Sequence, residues 1–391
     1  MNTEMQTILK GLSHSFNHFF DSEKSSGVVL IICTALSLAI ANSSLSSAYI
    51  TLWHSDIAGM SLEHWINDGL MAIFFLLIGL ELERELYNGE LSNFRDALLP
   101  IVAAIGGMLA PALIHYSLNA NTVTQAGIGI PMATDIAFAL GVLALLGKRI
   151  PNSLKVFLVA FAVMDDLGAA IMIALFYTAD LSIWYLLAAI SVWAVLIGLN
   201  RLRVMSLTPY LIGGAIMWWL TLQSGVHATL AGIALAFAIP FTSIRDDESS
   251  PSHKLEHYIH KPVAYLILPV FALANTGVAI GGNWINDLTT NNSLGIIAGL
   301  TIGKPLGITC LCAIAIALGI CKLPNDIKWS HIFGASILGG IGFTMSIFIT
   351  NLAFVGNTEV VNATKMAILL ASLTAGIAGF IWLRLIAKTS N

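Results

Sequence analysis

Apolar runs of membrane length, separated by short polar connections, set the pattern of this chain. A helix needs ~20 residues to cross about 30 Å of hydrocarbon. Twelve segments meet that measure, over 27–42, 63–82, 97–118, 125–146, 154–177, 181–199, 206–222, 225–241, 259–280, 293–319, 329–354 and 362–386, the first of them short. The pattern predicts an all-α integral membrane protein with twelve transmembrane helices. Composition agrees, with 57% hydrophobic and 10% charged residues, where soluble proteins carry about 25% charged. The mean hydropathy is +0.83.

The connections test the count independently. Lys10 and Lys24 precede the first span, Arg84 and Arg95 follow the second, and Lys148, Arg149 and Lys155 follow the fourth. Arg201 and Arg203 follow the sixth, Arg245, Lys254 and Lys261 the eighth, and Lys322 and Lys328 the tenth; Arg384 and Lys388 end the chain. Sixteen of the 18 basic residues thus fall on alternate sides, leaving Lys304 in the middle of the tenth span and Lys365 at the start of the twelfth. Basic loops stay cytoplasmic, so both termini are expected there.

Residues 1–391 read as one polytopic domain, with 1–26 a cytoplasmic N-terminal segment and 242–258 a polar cytoplasmic linker too short to build a core. The first twenty residues lack the apolar core and cleavage site of a secretory signal. Ile8, Leu9, Leu12, Phe16 and Phe19 suggest a helix lying in the interface instead. The formal net charge of −4 argues neither for nucleic acid nor for a strongly charged partner, so no nucleic acid is expected, and the four cysteines form no C-x-x-C pair.

Four ionisable residues stand out deep within the spans, Asp135, Asp165, Asp166 and Lys304. Two aspartates in mid-membrane cost roughly 5 to 7 kcal/mol on insertion scales. One lysine can neutralise one aspartate, so two carboxylates remain in need of a proton or a cation. Adjacent residues on a helix point about 100° apart. Asp165 and Asp166 therefore do not form a simple clamp, although each titrates under the other's influence. A site of this kind holds protons or a small hard cation, and competition between the two is enough for exchange.

Other charges have ordinary explanations. Glu81, Glu83, Glu85 and Glu256 sit at cytoplasmic helix ends, where charges are commonly solvated. Asp68 and His227 lie near periplasmic ends, as an interface anchor and a packing residue or as members of an ion path.

Two spans are interrupted. Gly127, Gly129 and Pro131 break span 4 ahead of Asp135, and Gly339, Gly340 and Gly342 break span 11. Irregular backbone at membrane depth survives only where it is buried or lines a cavity. Spans 4 and 11 run in opposite directions, which makes spans 3–5 and 10–12 inverted-topology repeats, each with a broken central helix. Paired interruptions of this kind point to a transporter's binding site. Half-helices meeting at mid-membrane bring positive N-terminal and negative C-terminal ends together, which Asp135 and Lys304 are placed to offset.

The stretches FFLLIGLELERELYNGEL, PMATDIAFALGVLALLG, MDDLGAAIMIALFYT, SGVHATLAG, LEHYIHKPVAYLILPVFALAN, GKPLG and GGIGFTMSIFI resemble the bacterial NhaA sodium/proton antiporters over nearly the whole chain. Inverted repeats are a known feature of that family, so the resemblance and the repeat are not independent. The resemblance implies an antiporter of the bacterial inner membrane that exports Na+ and Li+ in exchange for periplasmic H+, electrogenic, regulated by pH and dimeric. It implies no cofactor and no enzymatic activity. Asp165 and Asp166 match the cation- and proton-binding pair, with Asp166 the direct ligand of transported sodium, and Lys304 matches the partner of Asp165. Thr134 and Asp135 match the crossing-point residues. Glu81, Arg84, Glu85, Glu256 and His257 match a cytoplasmic cluster tied to activation at alkaline pH, and His227 a residue that affects the pH profile. Glu83 and His253 depart from the family, which has basic residues there. The loop over 42–62, where the family builds a dimerising β-hairpin, is short.

Two other functions fit the same residues less well. An aspartyl protease dyad of Asp135 and Asp165 lacks the GxGD pattern and leaves Lys304 without a role. A sodium-coupled solute symporter of similar fold needs a roomy substrate cavity and no adjacent aspartates.

Overall fold

The computed structural model describes residues 25–178, 181–242, 250–281 and 284–389. Lys10, Lys24, the expected interfacial helix and Arg245 lie outside them. Helix α1, Ser25–Ala41, turns through 119° into a short helix, Ser46–Trp53. A ribbon of two antiparallel strands follows, β1 Asp56–Ile57 and β2 Met60–Ser61, with Asp56 opposite Ser61. Ala58 and Gly59 both take positive φ, 56° and 87°, the conformation that suits a two-residue hairpin turn.

Ser61 caps the next helix by accepting from the His64 N–H. That helix, α2, runs over Leu62–Tyr87, with a π turn at Trp65–Leu70. Helix α3 is Phe94–Asn119. A 3-10 helix, Gln125–Met132, then leads to α4, Ile136–Leu145. Helices α5 Asn152–Phe176, α6 Ile183–Arg201, α7 Leu207–Gln223 and α8 Leu230–Ala236 follow. Helix α9, Pro251–Pro262, passes through a π turn into α10, Leu268–Asn275. The remaining long elements are α11 Asn291–Ala317, α12 Trp329–Gly339, α13 Phe343–Ala353 and α14 Thr358–Thr389.

The chain is a multi-pass helical membrane protein. Among the described residues, seven helices are long and apolar enough to cross a membrane, or up to nine if each bent pair is one span. The segments predicted at 206–222, 225–241 and 259–280 coincide with α7, α8 and α9–α10, which are not among those nine. Over 225–241 the regular α-helix is limited to the seven residues of α8, because Gly225 turns the chain at φ 82° and the residues up to Thr229 form turns. Within the expected linker 242–258, residues from Pro251 onward are helical, with Ser250 as N-cap accepting from the His253 N–H.

The core gathers α3, α5 and α11 to α14 around side chains such as Leu158, Ile308, Leu338, Ile341 and Ile368, all buried. Helix α6 lies outside and presents Trp184, Leu187 and Val195 outward, as a lipid-facing helix does. Helices α3 and α11 meet backbone to backbone. A Cβ on Gly106 would stand 2.3 Å from the Gly307 carbonyl, and one on Gly307 would stand 2.1 Å from the Gly106 carbonyl. Only glycine permits that approach, and it brings Lys304, one turn before Gly307, into the core.

Candidate ion-binding site

Both interrupted elements break where they touch each other. In the first, the 3-10 helix ends at Met132 and the chain extends through Ala133, at φ −79° and ψ 148°, to Asp135. In the second, the break lies between Gly339 and Phe343, with a 43° bend. The Asp135 N–H donates to the Ile341 carbonyl at 2.6 Å, and the Thr134 hydroxyl donates to the Gly339 carbonyl at 2.8 Å. A Cβ on Gly340 would meet the Leu300 carbonyl at 2.3 Å, so α11 presses directly on this crossing.

The two kinds of helix end are separated at the crossing. The Asp135 carboxylate accepts from the Phe138 N–H at 2.9 Å, in the first turn of α4. Its other oxygen accepts from the Thr344 N–H at 3.1 Å, in the first turn of α13, and from the Thr344 hydroxyl. One carboxylate thus caps two N-termini. Lys304 stands on the carbonyl side. Its Nζ donates to Thr134 Oγ1 at 2.7 Å, and that hydroxyl is bonded to the last carbonyl of α12. Each charge faces the helix ends of opposite sign.

Lys304 Nζ also donates to Asp165 Oδ2 at 2.6 Å. Asp166, on the same helix, points elsewhere. It is 1% exposed, neither of its oxygens has a hydrogen-bond partner, and it lines a cavity with Asp135 and Thr344. That cavity has about 50 Å3 of space open to water, and Glu81 and His260 also line it. The roughly 100° between neighbouring helical residues thus divides the pair, one turned to the lysine and one to the cavity.

Residues 17–383 match the family described as Na+/H+ antiporter 1. The chain belongs to that family. A relative named Na(+)/H(+) antiporter NhaA from Dechloromonas aromatica is 66% identical over 381 residues, 97% of this chain and 98% of that protein. Proteins of the same name from Cytophaga hutchinsonii and Vibrio parahaemolyticus are 56% and 52% identical, covering 96% and 93% of this chain and 97% and 95% of their own lengths.

Of the residues singled out in the sequence, Asp135, Asp165, Asp166, Thr134 and Lys304 converge on one site. Gly340 and Gly342 lie in the second break, as expected. Gly129 and Pro131 lie inside the 3-10 helix, and the first break comes after them, over 133–135. At the Glu81 end, Arg84 pairs with Glu256 and lies 3.2 Å from Glu85. His257 is exposed and does not line the cavity. Asp68 pairs with His64 at 3.1 Å and the His227 Nε2 lies 2.6 Å from the Tyr177 carbonyl; neither reaches the cavity. Glu83 is buried and accepts from the Ser252 hydroxyl at 3.0 Å, while the His253 ring lies 5.0 Å from that of Phe241.

Sequence reasoning missed His260 and Thr344. Each carried a signal. His260 falls four residues after Glu256, on the same helical face, and Thr344 occupies the first turn after the GGIG break, where N–H groups are free to bind a carboxylate.

Proposed function

We propose that this chain exports Na+ and Li+ from the bacterial cytoplasm across the inner membrane in exchange for periplasmic H+. Membership of the Na+/H+ antiporter 1 family supports exchange of Na+ for H+. The observation that carries the reading at residue level is the Asp166 carboxylate, buried, without a protein partner and facing a small cavity. Such a group is an unfilled position for a proton or a bare cation.

Sodium enters past Glu81 and displaces the proton held at Asp166. Asp165 exchanges its bond to Lys304 for a share of the cation, and Asp135 and Thr134 keep the two breaks in register. The protein then rocks about the crossing, and protons from the far side expel the sodium. With Lys304 giving up its proton once Asp165 leaves it, two protons, one for Asp166 and one for Lys304, enter for each sodium that leaves, so one net positive charge moves inward and the membrane potential helps to drive export. Arg84, Glu85 and Glu256, grouped near the Glu81 end, adjust access with pH. The architecture proposed for this cycle has twelve spans, inverted repeats over spans 3–5 and 10–12 and both termini in the cytoplasm. The ribbon over Asp56–Ser61 is the proposed contact of a homodimer.

The cavity size favours ion exchange over solute symport. About 50 Å3 accommodates a few waters at the ~10–15 Å3 that each requires, and no organic solute. The test is the sodium-induced pH change in everted vesicles from a host without antiporters, titrated from neutral to alkaline pH with sodium, lithium and potassium. A response to sodium and lithium that is lost in Asp166→Asn is expected. An unchanged response in that variant sinks the assignment of Asp166.

A further inference from the structure

Tyr177 follows the last residue of α5, the helix that carries Asp165 and Asp166, and it touches two other parts of the molecule. Its hydroxyl donates to the Ala126 carbonyl at 2.7 Å and accepts from the Gly129 N–H at 3.3 Å. Those groups are the acceptor and the donor of one i→i+3 step of a 3-10 helix, so the hydroxyl serves both ends of a single rung. The 3-10 helix Gln125–Met132 has eight residues, where this form usually sustains ~3–4 because its hydrogen bonds are poorly aligned. An outside partner offsets that weakness, and Gly129 makes room for it, since a Cβ there would stand 2.8 Å from the Tyr177 hydroxyl. Nearer its far end the same helix is held by Ser346, whose hydroxyl donates to the Ile130 carbonyl at 2.7 Å. It then runs directly into Ala133, Thr134 and Asp135.

The backbone of Tyr177 is held from a different direction. His227 Nε2 donates to the Tyr177 carbonyl at 2.6 Å, and the Ser182 N–H, just before α6, donates to the Ser224 carbonyl at 2.9 Å. His227 and Ser224 both belong to the turn between α7 and α8. The apolar side chains divide in the same way. Ile130, Ala133 and Ile173 belong to the core around the ion site, with Tyr177 packed against it. Leu80 of α2, Leu196 of α6, Met217 of α7 and Leu235 of α8 form a separate cluster. The Tyr177 side chain therefore holds a part of the first group, while its carbonyl is held by the second.

We propose that Tyr177 is a positioning residue of the ion site: its hydroxyl sets the 3-10 helix that delivers Thr134 and Asp135, and the bond from His227 ties that setting to the α7–α8 turn. This rests on the exchange reading above and adds a residue, outside the cavity, that governs how well sodium is held. Thr134 accepts from Lys304 and donates to the Gly339 carbonyl, and Asp135 lines the cavity beside Asp166. Hydrogen bonds weaken steeply as they lose alignment. A 3-10 helix released from Tyr177 moves both residues off these partners and leaves the site a poorer fit for a dehydrated cation. His227 acts on the same helix through the Tyr177 carbonyl, without touching the ion.

Two measurements on the full-length protein test this. Amide hydrogen exchange of the purified protein reads the hold on the 3-10 helix, and the sodium-induced pH change in everted vesicles reads its consequence. Tyr177→Phe keeps the ring and removes only the hydroxyl. It is expected to speed amide exchange over 125–135 and to raise the sodium concentration for half-maximal response by about three- to tenfold, with the maximal response little changed. His227→Ala is expected to move the half-maximal concentration in the same direction. The double variant should go no further than Tyr177→Phe alone, because His227 acts through Tyr177. Gly129→Ala, which displaces the hydroxyl, should reproduce the shift and stands in for Tyr177→Phe should that variant fail to fold. An unchanged half-maximal concentration in Tyr177→Phe overturns the positioning role, even where the melting temperature falls. Additive effects of Tyr177→Phe and His227→Ala overturn the route from His227. Parent vesicles with no sodium response refute the exchange reading instead, and amide exchange then decides, with unchanged rates over 125–135 in Tyr177→Phe overturning the hold itself.

Discussion

The ammonium of Lys304 stands 2.6 Å from Oδ2 of Asp165, and neither side chain has any solvent exposure. Breaking a buried pair from one side leaves an uncompensated charge, at a cost of about 3–5 kcal/mol. Lys304→Ala is therefore expected to lower the melting temperature of the purified protein clearly. Lys304→Met combined with Asp165→Leu, which removes both charges, should recover much of the loss. A double variant no more stable than Lys304→Ala would show that the pair is not the source of the effect.

Asp135 caps α4 and α13 with one carboxylate. Each lost cap costs about 1 kcal/mol, and both fall at the crossing. Asp135→Ala should lower stability by about 2 kcal/mol and raise the sodium concentration needed for half-maximal exchange. Asp135→Asn retains an acceptor and should do less of both. Equal effects of the two substitutions on sodium dependence would locate the role of Asp135 in its charge alone.

Gly340 faces the Leu300 carbonyl, which a Cβ would meet at 2.3 Å. Forced overpacking of this kind costs about 1–3 kcal/mol, and here it would push α11 and Lys304 away from the crossing. Gly340→Ala should reduce both exchange and thermal stability. Gly376→Ala, where the nearest atom to the added carbon is 3.7 Å away, should change neither. The pair of melting curves and pH-jump assays decides it.

Cys321, in the connection between α11 and α12, is buried, and burial pushes its thiol above the ordinary range. A raised thiol pKa means less thiolate at neutral pH, and the thiolate is the reactive form. Alkylation of Cys321 should be slow near neutrality and accelerate as the pH rises, in a variant where it is the sole cysteine. Rapid labelling at neutral pH would contradict its burial.

The chemistry of the site was more legible in the sequence than its geometry. Asp165, Asp166, Asp135 and Lys304 stand out because charge in an apolar run has no inexpensive explanation, and the structure gathers all four. The place of the first break was not legible. Glycine and proline at 129 and 131 mark loosened helix, but Ala133 to Asp135 are held extended by bonds to Gly339 and Ile341, more than two hundred residues away. No local pattern encodes such a partner. His260 was not legible for a related reason, since only the packing of α9 decides which of two nearby histidines, His257 or His260, meets the cavity. The short regular helix of span 8 has a different origin, because hydropathy registers apolar residues and is blind to the turns from Gly225 to Thr229 that delay the start of α8.

The mutual seating of Gly106 and Gly307 has a mechanical consequence. Two rods in contact at bare backbone, with no side chains between them to shear, cannot slide past each other by a turn without collision. Helices α3 and α11 must therefore travel as one piece, and Lys304 is carried by that piece rather than swung on its own stem. Whatever motion changes the site's exposure must find its slip plane elsewhere, among surfaces padded by larger side chains.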